Sequence, residues 1–226
     1  MKVKHSFIAL FLVSILCFSQ KPKVYYVADP MCSWCYGFTP QFEKIYEKYS
    51  KLVDFEIIVG GLNTETNKKL DLEMRDSFKD HWQHIHKETG MPFDYAILNE
   101  KDLVYNTELP CRAVVAVKNL DYSLHIRYFK LLQKSFYTQN KNITKKEVVA
   151  QIASELGIDK ETFLKKLDDP QIKVETKENF ERVEKNGIEG FPTLIFVSDK
   201  ETKLLNTGYT KHHKIEKMLD KLLCLH

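Results

Sequence analysis

The chain has 226 residues, 43% apolar and 29% charged, the balance of an ordinary globular protein, and its length allows one large domain or a domain carrying a sizeable insertion. Its 34 Lys and Arg against 31 Asp and Glu give a net charge of +3, or +1 once Lys2 and Lys4 are set aside, which supplies no electrostatic case for nucleic acid. No stretch rich in Pro, Gly or Ser and no internal repeat marks a linker or a disordered tail.

Residues 1–19 open with a short basic region, Lys2, Lys4 and His5, followed by an apolar run from Phe7 to Phe18 broken by Ser14. A run of about 12 residues is short of the ~20 that span a bilayer, and it fits the apolar core of a secretory signal peptide. Cleavage after Ser19 places Cys17 and Ser19 at the −3 and −1 positions. Lipidation at Cys17 calls for a small residue before it, and Leu16 is bulky. The expectation is an exported, periplasmic protein. Its remaining cysteines, Cys32, Cys35, Cys111 and Cys224, then meet an oxidising compartment. Four cysteines with one close pair are not a disulfide scaffold.

Val24–Ala28 is β-branched and aromatic and predicts a buried strand, which Asp29-Pro30 ends. Phe38, Phe42, Ile45, Tyr46 and Tyr49 recur at helical spacing, which predicts a helix over 33–49. Phe55–Val59 is a second strand, closed by Gly60-Gly61. The spacing then predicts helices almost throughout 63–167. Leu70, Met74, Phe78, Trp82 and Ile85 mark the first of them. Thr144 with Glu147 reads as a capping box for a later one, and Asp159 as the cap of the next. A helix over 174–185, strands over 194–197 and 203–207 and a last helix over 211–224 complete the chain. Setting the helical block aside leaves βαβαββα, an α/β thioredoxin fold. Its parts are 23–62 and 174–226, with 63–173 as an all-helical insertion subdomain.

The motif DPMCSWCYGF at 29–38 carries the chemistry. A structural zinc site wants a second CxxC or histidines at matched spacing, and Cys111 and Cys224 are single. The c-type haem signature wants His after the second cysteine, where this chain has Tyr36. At a strand-to-helix junction, Cys32 meets free amides and the positive end of the helix dipole, which favour a thiolate. Cys32 then acts as the nucleophile and Cys35, one turn on, as the resolving thiol. Gly190-Phe191-Pro192-Thr193 precedes a strand, and Pro192 supplies no ladder donor.

With Gly60-Gly61-Leu62, Arg75, His81-Trp82, YNTELPCRAVVAV at 105–117 and GFPTL at 190–194, this motif resembles the DsbA-like thioredoxin superfamily, its FrnE-type or protein-disulfide isomerase branch, over about residues 23–223. The resemblance implies dithiol–disulfide exchange at Cys32 and Cys35 with Pro192 as a cis-proline. Trp34, beside Cys32, is read as exposed and in contact with substrate, with a packing role as its alternative, and Gly190, Phe191 and Thr193 are expected to meet an extended substrate segment. The expected partners are cysteine-containing protein substrates and a redox partner that resets the pair, glutathione among the candidates. No other cofactor is expected. DsbA carries Pro-His between its cysteines; Ser33-Trp34 here offers no cation, which predicts a less oxidising potential.

Other residues tempt a metal or thiol reading. His81 and His84 share a helix face while His86 points elsewhere, so no metal is assigned. Cys111, at a helix start after Pro110, is read as a buried small hydrophobe, with a lowered thiol pKa or a bond to Cys224 as its alternatives. The rival functions are a glutathione-dependent isomerase or transferase of the kappa or hydroxychromene-carboxylate isomerase type, which typically uses a serine and lacks the second cysteine, and a non-enzymatic peptide-binding chaperone.

Overall fold

The computed structural model describes residues 21–225; the expected signal segment and its cleavage point lie outside them. Strand β1 (Lys23–Ala28) occupies an inner position in a four-stranded sheet of order β2-β1-β3-β4. It runs parallel to β2 (Asp54–Val59) and antiparallel to β3 (Thr193–Val197), and β4 (Thr202–Thr207) pairs antiparallel with β3. The inner position accounts for its continuous apolar character, since Tyr26 and Val27, on opposite faces, are both buried. The parallel β1–β2 pair requires a crossover, and α1 (Ser33–Tyr49) supplies it. Phe38, Phe42, Ile45 and Tyr49 form the buried stripe of α1. Tyr46, expected on that stripe, is exposed at its margin.

The insertion contains α2 (Leu72–Thr89), α3 (Glu108–Leu120), α4 (His125–Gln139), α5 (Lys146–Ser154) and α6 (Lys160–Asp168). Helix α3 is its spine, and every residue from Pro110 to Val117 is buried. Helix α2 starts after Leu70, where the Asp71 side chain caps it by accepting from the Met74 N–H at 2.9 Å. Asp159 caps α6 through the Thr162 N–H at 2.8 Å. The Thr144–Glu147 capping box does not form. Lys145 holds the cap position, and the Thr144 hydroxyl donates to Asn142 Oδ1 at 2.6 Å instead.

Helix α7 (Pro170–Lys185) begins four residues before the expected start at 174, so the expected insertion boundary falls inside it. Pro170 suits its first turn, where the missing N–H has no helical acceptor, and Asp169 accepts from the Gln171 N–H at 2.9 Å. Lys118 on α3 bridges Glu56 on β2 at 3.2 Å and Glu175 on α7 at 3.3 Å. The final helix α8 (His212–Leu222) buries Ile215 and Leu219, and the Tyr49 hydroxyl on α1 donates to its Asp220 at 2.5 Å. Among the described residues no helix is long and apolar enough to cross a membrane.

Candidate redox site

Strand β1 passes through Asp29-Pro30-Met31 to Cys32, the N-cap residue of α1. Cys32 is extended, with φ −78° and ψ 112°, and its carbonyl accepts the Tyr36 N–H at 3.0 Å. Cys32 thus stands at the end of the helix where amides without helical acceptors and the positive dipole end converge, and its side chain makes no capping hydrogen bond to them. Cys32 is 6% exposed, and Cys35, inside the first turn, is fully buried. Burial first, then the adjoining Cys32 thiol, pushes the Cys35 thiol well above its ordinary range.

The Phe191–Pro192 peptide faces this pair and is cis. The Cys32 thiol donates to the Phe191 carbonyl at 3.8 Å, a distance suited to sulfur. Asn206 holds the loop from β4. Its Oδ1 accepts the Leu194 N–H at 3.1 Å and its Nδ2 donates to the Gly208 carbonyl at 2.8 Å, while the Gly208 N–H reaches the Pro192 carbonyl at 2.8 Å. Thr193, expected among the substrate contacts, is buried and donates its hydroxyl to the Gly190 carbonyl at 2.8 Å. That bond fastens the loop. Gly190 and Phe191 remain half-exposed beside Cys32.

Trp34 is half-buried rather than exposed. The rings of His81 and His84 stand nearly perpendicular to it, with centroids 6.2 and 5.7 Å away, and the Tyr209 ring centroid lies 6.0 Å away. These form an aromatic and imidazole rim at the mouth of the site. Burial and then the charge of His84 hold His81 below the usual imidazole range. His86 turns away and pairs its Nδ1 with the Met91 carbonyl at 2.8 Å. Among the described residues no group of three or more His, Cys, Asp or Glu gathers to hold a metal.

Beneath the pair lie groups to which the sequence pattern assigns no part in the redox site. Asp29 is fully buried. Its Oδ1 accepts the Met31 N–H at 2.8 Å, and its Oδ2 accepts the Leu62 N–H at 2.8 Å and the Cys111 thiol at 3.3 Å. Burial raises the Asp29 carboxyl above its usual range, against the pull of those hydrogen bonds. The same burial, with Asp29 beside it, pushes the Cys111 thiol well up, opposite to the lowering that its place near a helix start allows. Cys111 and Cys224 are both free thiols, the first buried and the second exposed. Tyr105 and Tyr137 donate their hydroxyls to the Met31 carbonyl, Tyr137 at 2.6 Å. Trp82 is wholly buried and packs on Phe93 and Tyr137 within the insertion.

Residues 23–220 match the DSBA-like thioredoxin domain family. The structure superposes with a TM-score of 0.84 on a candidate protein disulfide isomerase from Nitrosomonas europaea, 34% identical, covering 92% of this chain and 100% of that one. The cytosolic disulfide reductase DsbM from Pseudomonas aeruginosa, also solved with GSH, is similar in fold, with a TM-score of 0.75 and 23% identity over 90% of this chain and 100% of that one. In sequence the chain is also similar to the ClpXP adapter protein SpxH, 23% identical in Halalkalibacterium halodurans over 90% of this chain and 69% of that protein. SpxH from Bacillus subtilis is 27% identical over 66% of this chain, and the match spans about half (49%) of that relative. The chain belongs to the DSBA-like thioredoxin domain family.

Proposed function

We propose that the protein is a thiol–disulfide oxidoreductase exchanging disulfides with cysteine-containing protein substrates through Cys32 and Cys35. The observation that carries this reading is Cys32 at the N-cap of α1, one helical turn from the buried Cys35 and hydrogen-bonded to the carbonyl before the cis Pro192. In the reducing direction the Cys32 thiolate attacks a substrate disulfide. One S–S bond breaks, a mixed disulfide forms, and the first substrate sulfur leaves as a thiolate. Cys35 gives up its proton and attacks the Cys32 sulfur. The second substrate sulfur then leaves, and the Cys32–Cys35 disulfide forms. The two thiol protons pass to the substrate sulfurs, so the substrate gains two electrons and the protein loses two. Oxidation of a dithiol substrate is the reverse.

A thiol reductant or a disulfide oxidant resets the pair. Glutathione is the proposed partner for the reducing direction, which the GSH complex of the similar reductase supports. The half-exposed Gly190, Phe191 and Trp34 are the proposed substrate contacts. The insulin reduction assay tests the reading: the wild type turns over and Cys32→Ser does not. Equal activity in both would sink it and leave the adapter relatives as the better guide. Export is proposed separately, on the apolar run at 7–18; a secreted chain whose N-terminus is Gln20 supports it, and a retained Met1 overturns it.

A further inference from the structure

We propose that the Tyr105 and Tyr137 hydroxyls, both donated to the Met31 carbonyl, form a positioning device through which the helical insertion sets the reactivity of Cys32. This rests on the redox reading of Cys32 given above. The Met31 carbonyl and the Cys32 N–H belong to one peptide unit, and that unit is held at both ends. The Cys32 N–H donates to the Asp29 carbonyl at 3.0 Å, while the two tyrosine hydroxyls cover the Met31 oxygen. One donor would satisfy that oxygen. Here two buried tyrosines converge on it, their own oxygens 3.5 Å apart. One comes from the segment before α3 and the other from the last turn of α4.

The consequence for Cys32 is electrostatic. The Met31 carbonyl belongs to the peptide bonded to Cys32, and a bare carbonyl oxygen there adds negative potential that disfavours a thiolate. Two O–H dipoles aimed at it offset that potential, and in a buried setting such dipoles act with little screening. Burial first, and to a lesser degree a negative charge at Cys32, raise the Tyr26, Cys35, Tyr105 and Tyr137 groups above their ordinary ranges, and the Asp29 carboxylate accepts the N–H of the same Met31. The rings do not depend on their hydroxyls for position. Tyr105 stacks on Phe78 at 4.4 Å and Tyr137 on Tyr36 at 4.7 Å, so phenylalanine keeps the packing and removes only the donors.

The test uses the full chain carrying Cys224→Ser, which removes the exposed thiol, with Tyr105→Phe, Tyr137→Phe and both together. Two quantities are read: the rate of Cys32 alkylation by iodoacetamide at pH 7, and the equilibrium constant of the Cys32–Cys35 pair with glutathione. A lost hydrogen bond of ordinary strength predicts that each single change slows alkylation about threefold and the double change about tenfold. The equilibrium shifts by the same factors toward the disulfide form, which is ~15 to ~30 mV more reducing. A purely structural role lowers the melting temperature and leaves both quantities unmoved, which overturns the proposal. Should the double variant not fold, the two single variants decide. A wild type inert toward insulin and glutathione overturns the redox reading itself, whereas an active wild type with unmoved variants overturns only the clamp.

Discussion

At Gly60 the backbone leaves no room for a side chain. A Cβ there would lie 2.2 Å from Phe191 Cζ, so the phenylalanine ring rests directly on the backbone. The carbonyl of that same Phe191 receives the Cys32 thiol. Gly60→Ala must therefore move the ring, and we expect the Phe191 carbonyl to shift with it. We expect a loss of about 1–3 kcal/mol in urea unfolding and a fall of about tenfold or more in insulin turnover, since small displacements of reacting groups are costly. Full turnover in a destabilised variant would show that ring and carbonyl move independently. Asp29→Asn tests the buried carboxylate. An amide can still accept from Met31 but turns an N–H₂ toward the Leu62 N–H and the Cys111 thiol. The expected cost is about 1–3 kcal/mol for the donors left facing each other, read by urea unfolding at pH 7; wild-type stability would contradict it. Cys32, Cys35 and Pro192 are legible in the sequence because their chemistry is written in contiguous motifs. Asp29 and Asn206 are not, because each acquires its role from partners 12 or more residues away. In sequence Asp29 reads as no more than the end of a strand.

Between elements, His125 is the joint with the plainest pH signature. At the start of α4 it is buried, with Nδ1 against the Tyr122 carbonyl at 2.5 Å and Nε2 accepting the Ile57 N–H from β2 at 3.3 Å. Both contacts are satisfied by one neutral tautomer, with the proton on Nδ1. A second proton would set Nε2–H against the Ile57 N–H, and burial accordingly holds this imidazole below its usual range. The unfolded chain takes up the proton near pH 6.5, before the folded one does. The contribution of His125 is thus fully present above that value and is lost as pH falls below it toward the depressed folded value. Urea unfolding between pH 5 and 8 should show the decline in the wild type and a flatter profile in His125→Gln; identical slopes would remove His125 as the source. Helical periodicity runs through most of the insertion, but the helix ends depend on which cap residues find their backbone partners. Asp159 caps α6 as its position before the helix suggests, and Asp159→Ala should lower the urea midpoint in the same assay. Thr144 offers the same local signal, yet its hydroxyl is engaged by Asn142. A cap residue can be drawn away by a loop partner, and no spacing rule contains that competition.

Over the whole molecule, the order of strands and helices suffices to anticipate a mixed sheet interrupted by a helical block, because each element announces its period. The division at 173/174 was less legible, because α7 belongs by contact both to the insertion and to the sheet. The arrangement bears on the direction in which the cysteine pair runs. DsbA is strongly oxidising, near −120 mV, because its reduced form is stabilised. In this chain Ser33-Trp34 places no cation between the cysteines. His81 and His84 approach the Trp34 ring from α2, but burial and their mutual repulsion work against a charge on His81. Cys35 is held as a thiol by burial. What remains to support a Cys32 thiolate is dipolar, from the end of α1 and the two tyrosine hydroxyls, and dipoles are weaker than a net charge at the same distance. The potential measured against glutathione should therefore lie well below −120 mV. For a two-electron couple ~30 mV corresponds to ~1.4 kcal/mol, so the same difference must appear as a gain in the stability of the oxidised chain relative to the reduced one. Urea unfolding of both redox forms checks this independently of the glutathione equilibrium. An oxidised form several kcal/mol less stable than the reduced form, together with a potential near that of DsbA, would show that the dipoles alone replace the missing cation.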